Sequence, residues 1–209
     1  MNIENTLKDY LDDLSSNSPT PGGGNVAALC GVLSSCLGIM VSNLTIGKKK
    51  YLSVEEEMKS VKVELEKYKV NFIELANKDN AAFDKVMEAF KLPKETDDEK
   101  RARSEQIESA TLEAARVPAE VLSKCSALPS LIKIIAEKGN QNSLSDAGVA
   151  ASLIQTAAQG AFFNVLINCK SLNNNNEADK LLANSLNLIE SIKAEVSFII
   201  FQITESLNK

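Results

Sequence analysis

The stretch Asn25 to Gly47, NVAALCGVLSSCLGIMVSNLTIG, contains no charged residue, and neither does Ala147 to Cys169, AGVAASLIQTAAQGAFFNVLINC. The other periodic segments carry charges between apolar positions that recur every three or four residues, so they can cover the two uncharged ones. A helix that is apolar on all sides belongs at the centre of a soluble bundle. We therefore predict an all-α, multi-helix bundle with two uncharged central helices.

Each uncharged stretch exceeds the roughly 20 residues that span a bilayer, which leaves a membrane bundle as an alternative. Both stretches, however, contain polar side chains such as Ser34, Asn43, Gln155 and Asn164. Because amphipathic helices surround them in the sequence, we predict that the protein does not bind a membrane.

Small residues recur every four positions in the first stretch, in two rows. Such rows let helix backbones approach closely. The partner is either a neighbouring helix or the same helix of a second copy, and the second alternative predicts a homodimer. The rows are Ala27, Gly31 and Ser35, and Ser34, Gly38 and Ser42.

Proline, glycine and cap residues divide the chain into helices. Gly47 is a plausible C-cap, Pro118 kinks the chain or starts a new helix, Pro129 disturbs that helix, and Ser145 is a good N-cap. We treat residues 1–209 as a single domain. The predicted helices are 3–14, with its apolar stripe at Ile3, Leu7, Leu11 and Leu14, then 26–46, 54–90, 97–115, 118–138, 146–169 and 177–207.

Composition excludes several functions. The 209 residues are 44% hydrophobic and only 5% aromatic, which suits closely packed helices better than a β-sandwich. The net charge is −5 with no long basic stretch, so we predict no nucleic-acid partner. The absence of histidine removes His bases, His-dependent nucleophiles and most catalytic zinc sites. Proton transfer must then come from Asp, Glu, Lys, Tyr, Cys or water, and we expect no metal.

The four cysteines form no CxxC pair, and we interpret them as small buried hydrophobic residues in a reduced compartment. The N-terminal MNIENTLKDYLDDL is acidic and amphipathic, unlike a signal peptide. Both observations predict a cytoplasmic protein.

Two segments flank the first uncharged helix. In PTPGGGN, Pro19 to Asn25, three glycines expose backbone N–H groups just before a helix N-terminus, where they either hold an anion or simply form a flexible loop. In TIGKKKY, Lys48, Lys49 and Lys50 follow the helix, where cations are favoured by roughly 0.3–1 kcal/mol. They are a solvated cap, or they bind a polyglutamate tail, or they hold one amine with a depressed pKa.

Two carboxylates are candidates for chemistry. Asp79 and Phe83 share a helix face, and a carboxylate beside an aromatic ring can hold a planar heterocycle with N–H donors. Asp146 lies in the first turn of the second uncharged helix, where the dipole favours an acid. Each has an ordinary alternative, an exposed acid for Asp79 and a cap-box position for Asp146. The amides Asn164 and Asn168 lie one turn apart on the same helix and need partners if buried.

Taken together and in order, these segments resemble the cyclodeaminase/cyclohydrolase family of folate enzymes over about residues 5 to 200. The matching segments are PTPGGGN, NLTIGKKKY, D-x-x-AF with KLPK, EKGN-x-N-x-x-SD-x-GVAA, and N-x-x-IN-x-KSL. Asn25 departs from the serine that is usual after the glycines. Since Asn also caps helices, we expect this difference to have little effect on the start of the helix.

The resemblance implies an all-α dimer acting on the one-carbon bridge of tetrahydrofolate, with no cofactor beyond the folate substrate. It implies two possible reactions. Of these we expect a stand-alone cyclohydrolase that interconverts 5,10-methenyltetrahydrofolate and 10-formyltetrahydrofolate, because a lone domain has no attached enzyme to supply a formimino substrate. The alternatives are a formiminotetrahydrofolate cyclodeaminase and a non-catalytic helical dimerisation module. We expect Asp79, Asp146 and Lys50 to be catalytic, without assigning which Asp handles protons and which holds the pterin. The expected substrate-binding residues are Pro21, Gly22, Gly23, Gly24, Lys48, Phe83, Asn164 and Asn168.

Overall fold

The computed structural model describes residues 6–172 and 175–209, and those residues contain helices and no strand, which confirms the all-α prediction. Two 3₁₀ helices, Lys49–Val54 and Gln141–Ser143, connect longer elements. The α-helices are α1 (Leu7–Leu14), α2 (Gly23–Thr45), α3 (Glu55–Phe90), α4 (Asp97–Cys125), α5 (Leu128–Lys138), α6 (Leu144–Lys170) and α7 (Asn176–Leu207).

Helix α2 packs between α3 and α6. Its contact with α3 is unusually close because glycines face α3 at every seventh position. A Cβ atom at Gly31 or Gly38 would lie 2.7 Å from the nearest side-chain carbon of α3, so neither position admits a larger residue without a shift. The facing pairs run antiparallel: Gly24 with Asp79, Gly31 with Phe72, and Gly38 with Leu65.

Helices α2 and α6 are also antiparallel and close. The Ser34 hydroxyl donates a hydrogen bond of 2.9 Å to the carbonyl of Ala150. A Cβ atom at Gly160 would lie 3.0 Å from that of Ala27. The predicted rows of small residues therefore serve neighbouring helices of the same chain.

The prediction that both uncharged helices are buried on all sides is wrong. On α2, Leu33, Met40 and Leu44 are 37–45% exposed, and on α6 Val149 and Phe163 are 52% and 59% exposed. We call these five residues, with the exposed Cys36, Ser152 and Thr156, the uncharged face. Since α2 and α6 are adjacent, one bundle surface lacks the charges that normally cover a helix.

Helix α2 and the segment Gln141–Lys170 are long and apolar enough to cross a membrane. Core helices of soluble proteins share this length and composition. Of the most apolar window of α2, 56% is buried inside the bundle.

Several predicted boundaries differ from the structure. Helix α4 continues through Pro118 to Cys125, and Pro129 lies in the first turn of α5 instead of disturbing a helix. Ser145 is not an N-cap, because α6 begins at Leu144, although Asp146 does lie in its first turn. Gly47 follows the C-cap residue of α2, with a positive φ of 76° that suits glycine.

The first helix also differs from its predicted pattern. Leu7 and Leu11 are 70% and 51% exposed, whereas Tyr10 between them is buried. Thr6 and Asp9 form a capping box at the start of α1. The predicted start at Ile3 lies outside the described residues. All four cysteines are free, and Cys36, on the uncharged face, is exposed, in contrast to the buried role we expected.

Candidate functional site

The N-terminus of α2 has no side-chain cap of its own, because its N-cap residue is Gly22. The carboxylate of Asp79, from the middle of α3, accepts a hydrogen bond there from the backbone N–H of Asn25. A Cβ atom on Gly24 would lie 2.7 Å from the carboxyl carbon of Asp79. The carboxylate therefore reaches the end of α2 only because residue 24 is glycine.

Two opposing effects act on Asp79. Burial raises the pKa of its carboxyl above the ordinary value, and the hydrogen bond from the Asn25 N–H acts against that rise. A carboxyl whose pKa is shifted toward neutrality exchanges protons more readily at physiological pH, as a general acid or base must. A structural ion pair would instead lower the pKa.

The side chain of Asn25 links three helices. It is fully buried, and its oxygen accepts a hydrogen bond of 3.0 Å from the Tyr10 hydroxyl of α1. Its Nδ2 donates to the carbonyl of Ala76 at 2.8 Å and to Oδ1 of Asn80 at 3.2 Å, both on α3. Our expectation that Asn25 acts as a helix cap is wrong, because it fixes the turn of α3 that carries Asp79.

Of the two asparagines predicted to belong to the site, both on α6, Asn164 approaches the start of α2. Its Nδ2 lies 3.8 Å from where a Cβ atom on Gly23 would be, and it donates a hydrogen bond of 2.9 Å to the Gly160 carbonyl. Asn168 instead donates to the carbonyl of Ala114 on α4, at 2.9 Å.

The structure thus brings several predicted site residues together at one end of α2. Phe83 is half-buried one turn after Asp79 on α3, and Pro21 is half-buried just before the glycines. We call this group the glycine-loop cluster, and its members are Pro21, Gly22, Gly23, Gly24, Asp79, Phe83 and Asn164.

Three other predicted residues lie away from this group: Lys48 and Lys50 follow the other end of α2, and Asp146 lies in the first turn of α6. Lys48 and Lys50 are exposed, and the Lys50 ammonium lies 5.3 Å from the centre of the Tyr51 ring. The Tyr51 hydroxyl accepts a hydrogen bond of 3.1 Å from the backbone N–H of Gln141, shortly before the half-buried Asp146. We call Lys48, Lys50 and Asp146 the lysine cluster.

The two clusters are far apart within one protomer. The antiparallel contacts of α2 with α6 place Asp146 level with about Gly38, which is 14 residues from Gly24. At 1.5 Å per residue that is about 20 Å. Asp79 and Asp146 of the same protomer therefore cannot contact one small substrate group.

Sequence reasoning missed Tyr10 and the true role of Asn25. Neither was evident from the sequence, since Tyr10 is an ordinary residue of an amphipathic segment and its hydrogen-bond partner, Asn25, is 15 positions away. Among the described residues, no three His, Cys, Asp or Glu side chains converge to hold a metal ion.

These features define an all-helical domain with a partly buried carboxylate of raised pKa at a glycine-rich helix start. The formiminotransferase-cyclodeaminase sequence model matches residues 6–186. The chain belongs to that family.

Named relatives fall into two groups. A methenyltetrahydrofolate cyclohydrolase of Methylorubrum extorquens is 40% identical over 203 residues, which cover 92% of this chain and 98% of that protein. The mouse formimidoyltransferase-cyclodeaminase is 28% identical over 95% of this chain, which spans only 37% of the mouse protein. The crystal structure of formiminotetrahydrofolate cyclodeaminase from Thermotoga maritima superposes with a TM-score of 0.81 at 32% identity, covering 98% of this chain and 96% of that one.

The raised pKa of Asp79 predicts a pH-dependent effect of Asp79→Asn on stability. The folded state keeps the proton longer than the unfolded chain, whose Asp pKa is about 3.9. The stability that this proton contributes is complete below that value and is lost as the pH rises through the raised folded pKa. The free energy of unfolding of Asp79→Asn minus that of the wild type should therefore increase as the pH rises from about 3.5 to 7.

Urea unfolding followed by far-UV circular dichroism at several pH values measures this difference. Asp84→Asn, an exposed change on the same helix, is the control and should give a nearly constant difference. A difference for Asp79→Asn that stays flat or falls with pH would contradict the burial of the charge.

Proposed function

We propose that this protein is a methenyltetrahydrofolate cyclohydrolase, which interconverts 5,10-methenyltetrahydrofolate and 10-formyltetrahydrofolate. The observation that carries the proposal is the Asp79 carboxylate, partly buried against the glycine-rich start of α2 with a raised pKa. The similarity to a cyclohydrolase over nearly the full length of both chains supports the choice of substrate.

Hydrolysis of the methenyl bridge needs few catalytic groups from the protein. Water adds to the cationic methenyl carbon between N5 and N10, which becomes tetrahedral and carries a hydroxyl group. The bond from that carbon to N5 then breaks, N5 takes a proton, and the carbon keeps its oxygen as the N10-formyl group. One proton is released overall. Asp79 is placed to accept the proton of the attacking water and to return one to N5.

The surroundings of Asp79 favour this role. The N–H groups of Gly23 and Gly24 belong to the first helical turn and have no carbonyl partner within the helix. They stabilise negative charge that develops on the hydroxyl oxygen of the tetrahedral intermediate as it gives up its proton and the bond from carbon to N5 breaks. Phe83 offers an apolar surface to the substrate, and Asn164 offers an amide to one of its polar groups.

We further propose a homodimer that completes the site. The uncharged face exposes large apolar side chains on two adjacent helices, and contiguous exposed apolar surface marks protein–protein contacts. A second copy of the chain is the partner that matches it. A two-fold axis perpendicular to α2 sets the two copies of α2 antiparallel. The lysine cluster of one protomer then lies beside the glycine-loop cluster of the other, and each dimer has two shared sites.

In this arrangement the charges have complementary tasks. Asp146 of the second protomer stabilises the cationic methenyl bridge, while Lys50 stabilises the hydroxyl oxygen of the tetrahedral intermediate as it loses its proton. Lys48 lies beside Lys50 in the same segment and binds the substrate. No metal or additional cofactor enters these steps, and we expect the enzyme to work in the cytoplasm.

The second candidate is a formiminotetrahydrofolate cyclodeaminase, which the similarity to the Thermotoga maritima structure favours. The same tetrahedral carbon then carries an amino group that leaves as ammonia. A third candidate, a non-catalytic helical dimerisation module, needs only the uncharged face.

Supplying both substrates separates the three candidates. Our proposal predicts that the purified protein accelerates loss of methenyl absorbance and releases little ammonia from 5-formiminotetrahydrofolate. Dominant ammonia release would establish the cyclodeaminase instead. If neither substrate reacts, and saturating folate adds none of the roughly 2.7 kcal/mol of stability expected at 100 times Kd, the non-catalytic module is correct.

Mixing two inactive variants tests the shared site. We expect Asp79→Asn and Asp146→Asn each to lower turnover of methenyltetrahydrofolate by at least about 100-fold with helical circular dichroism retained. In randomly exchanged dimers, half the molecules are mixed and each holds one intact site of two. The mixture should then regain about one quarter of wild-type activity.

Differently tagged variants, purified through both tags in sequence, show that mixed dimers have formed, and each variant exchanged with itself is the matched control. Mixed dimers that stay inactive would mean that Asp79 and Asp146 do not share a site. Near-normal activity in both single variants would contradict the assignment of both carboxylates.

A further inference from the structure

A groove of about 510 Å³ lies between α3, α4 and α6, just beyond the start of α2. Helix α2 begins beside Asp79 and Asn164, but α3 continues to Phe90 and α6 to Lys170. The place that α2 occupies between them is therefore open past its first residue, and α4 forms the floor. We call this space the α3–α4–α6 groove.

The groove lies further along α3 and α6 than the glycine-loop cluster, on the same faces of these helices. Asp79, Phe83 and Phe90 project from one face of α3, because their spacings of four and seven residues are near whole helical turns. Asn164 and Asn168 likewise share a face of α6, and Asn168 lines the groove. A molecule held at Asp79 that lies along these two faces would reach the groove.

The walls suit an aromatic ring with an attached amide. Phe90, Ile107 and Ile167 give apolar surface, and Ser104, Thr111 and Asn168 give hydrogen-bonding groups. A mixed lining of this kind, apolar with a few placed polar groups, is typical of small-molecule sites.

A guanidinium group marks the outer end of the groove. Arg103 donates from Nη2 to the carbonyl of Phe90 at 3.1 Å, and its guanidinium carbon lies 5.5 Å from the centre of the Phe90 ring. The other two arginines have carboxylate partners, Arg101 with Asp98 and Arg116 with Glu113 and Glu177. Within the described ranges, no carboxylate lies within ion-pair distance of Arg103.

The carboxylate of Glu108 makes the charge distribution along the groove asymmetric. It lines the groove one turn after Ser104, and its carboxylate accepts a hydrogen bond of 2.9 Å from Asn175. A ligand carboxylate is repelled from the Glu108 side and attracted to Arg103 at the mouth.

We propose that the α3–α4–α6 groove binds the p-aminobenzoylglutamate part of the substrate, with Arg103 binding its glutamate carboxylate. This inference rests on the proposed function, which places the one-carbon bridge at Asp79. Eleven residues of α3 separate Asp79 from Phe90, about 16 Å along the helix, which leaves room for one aryl ring, one amide and one glutamate between the bridge and Arg103.

The test compares two substrates on the full-length protein: 5,10-methenyltetrahydrofolate, and 5,10-methenyltetrahydropteroate, which lacks the glutamate. For Arg103→Ala we expect KM to rise about tenfold with the first substrate, since one charged hydrogen bond is lost. With the second substrate KM should not change, and kcat should stay within about twofold for both. Arg103→Lys should recover part of the lost affinity because it keeps the charge.

Arg101→Ala is the matched control, since it removes an exposed arginine of the same helix and should change neither substrate's KM. Equal effects of Arg103→Ala on both substrates, or no effect on either, would overturn the groove assignment while leaving the cyclohydrolase proposal intact. Absence of turnover by the wild-type protein with both substrates would overturn the proposed function itself.

Discussion

The close approach of α2 and α3 is the constraint on which the rest of the structure depends. Three glycines spaced by seven residues remove the Cβ atoms that would hold the helices apart, and α3 presents Asp79, Phe72 and Leu65 to them. Two of these contacts bury apolar side chains in the core. The third contact has the same geometry and brings the carboxylate of Asp79 to the first turn of α2. The same helix packing therefore stabilises the fold and positions the candidate site.

Burying Asp79 is unfavourable, and the structure offsets this in two ways. The Asn25 N–H donates to the carboxylate, and the positive end of the α2 dipole lies beside it. The offset is incomplete, because the pKa of Asp79 still lies above its usual value. A stronger partner such as an arginine would stabilise the ionised form further but would remove the proton exchange that the proposed role of Asp79 requires.

The sequence predicted the helices well because absence of charge and a period of 3.6 are local properties. It also named Asp79 and the three glycines as candidate site residues, and the structure places them together at the start of α2. It did not predict that Gly24 and Asp79 touch, since 55 residues separate them and periodicity does not say which helices are neighbours. For the same reason it could not show that Asp79 and Asp146 lie at opposite ends of the bundle, that Asn25 bonds Tyr10, or that α2 and α6 keep an exposed face.

The central claim is that the α2–α3 contact at Gly24 makes the catalytic carboxylate usable, and Gly24→Ala tests it most directly. Gly31→Ala, at the next position of the same contact, is the comparison, because its Cβ atom meets Phe72 and leaves Asp79 in place. Both substitutions overpack the contact and should cost about 1–3 kcal/mol of stability. The measurement is the steady-state rate of methenyltetrahydrofolate hydrolysis, corrected for the folded fraction. We predict a loss of about 100-fold for Gly24→Ala, as expected when an acid–base group is displaced, and near-wild-type turnover for Gly31→Ala. Wild-type turnover by folded Gly24→Ala would contradict the account.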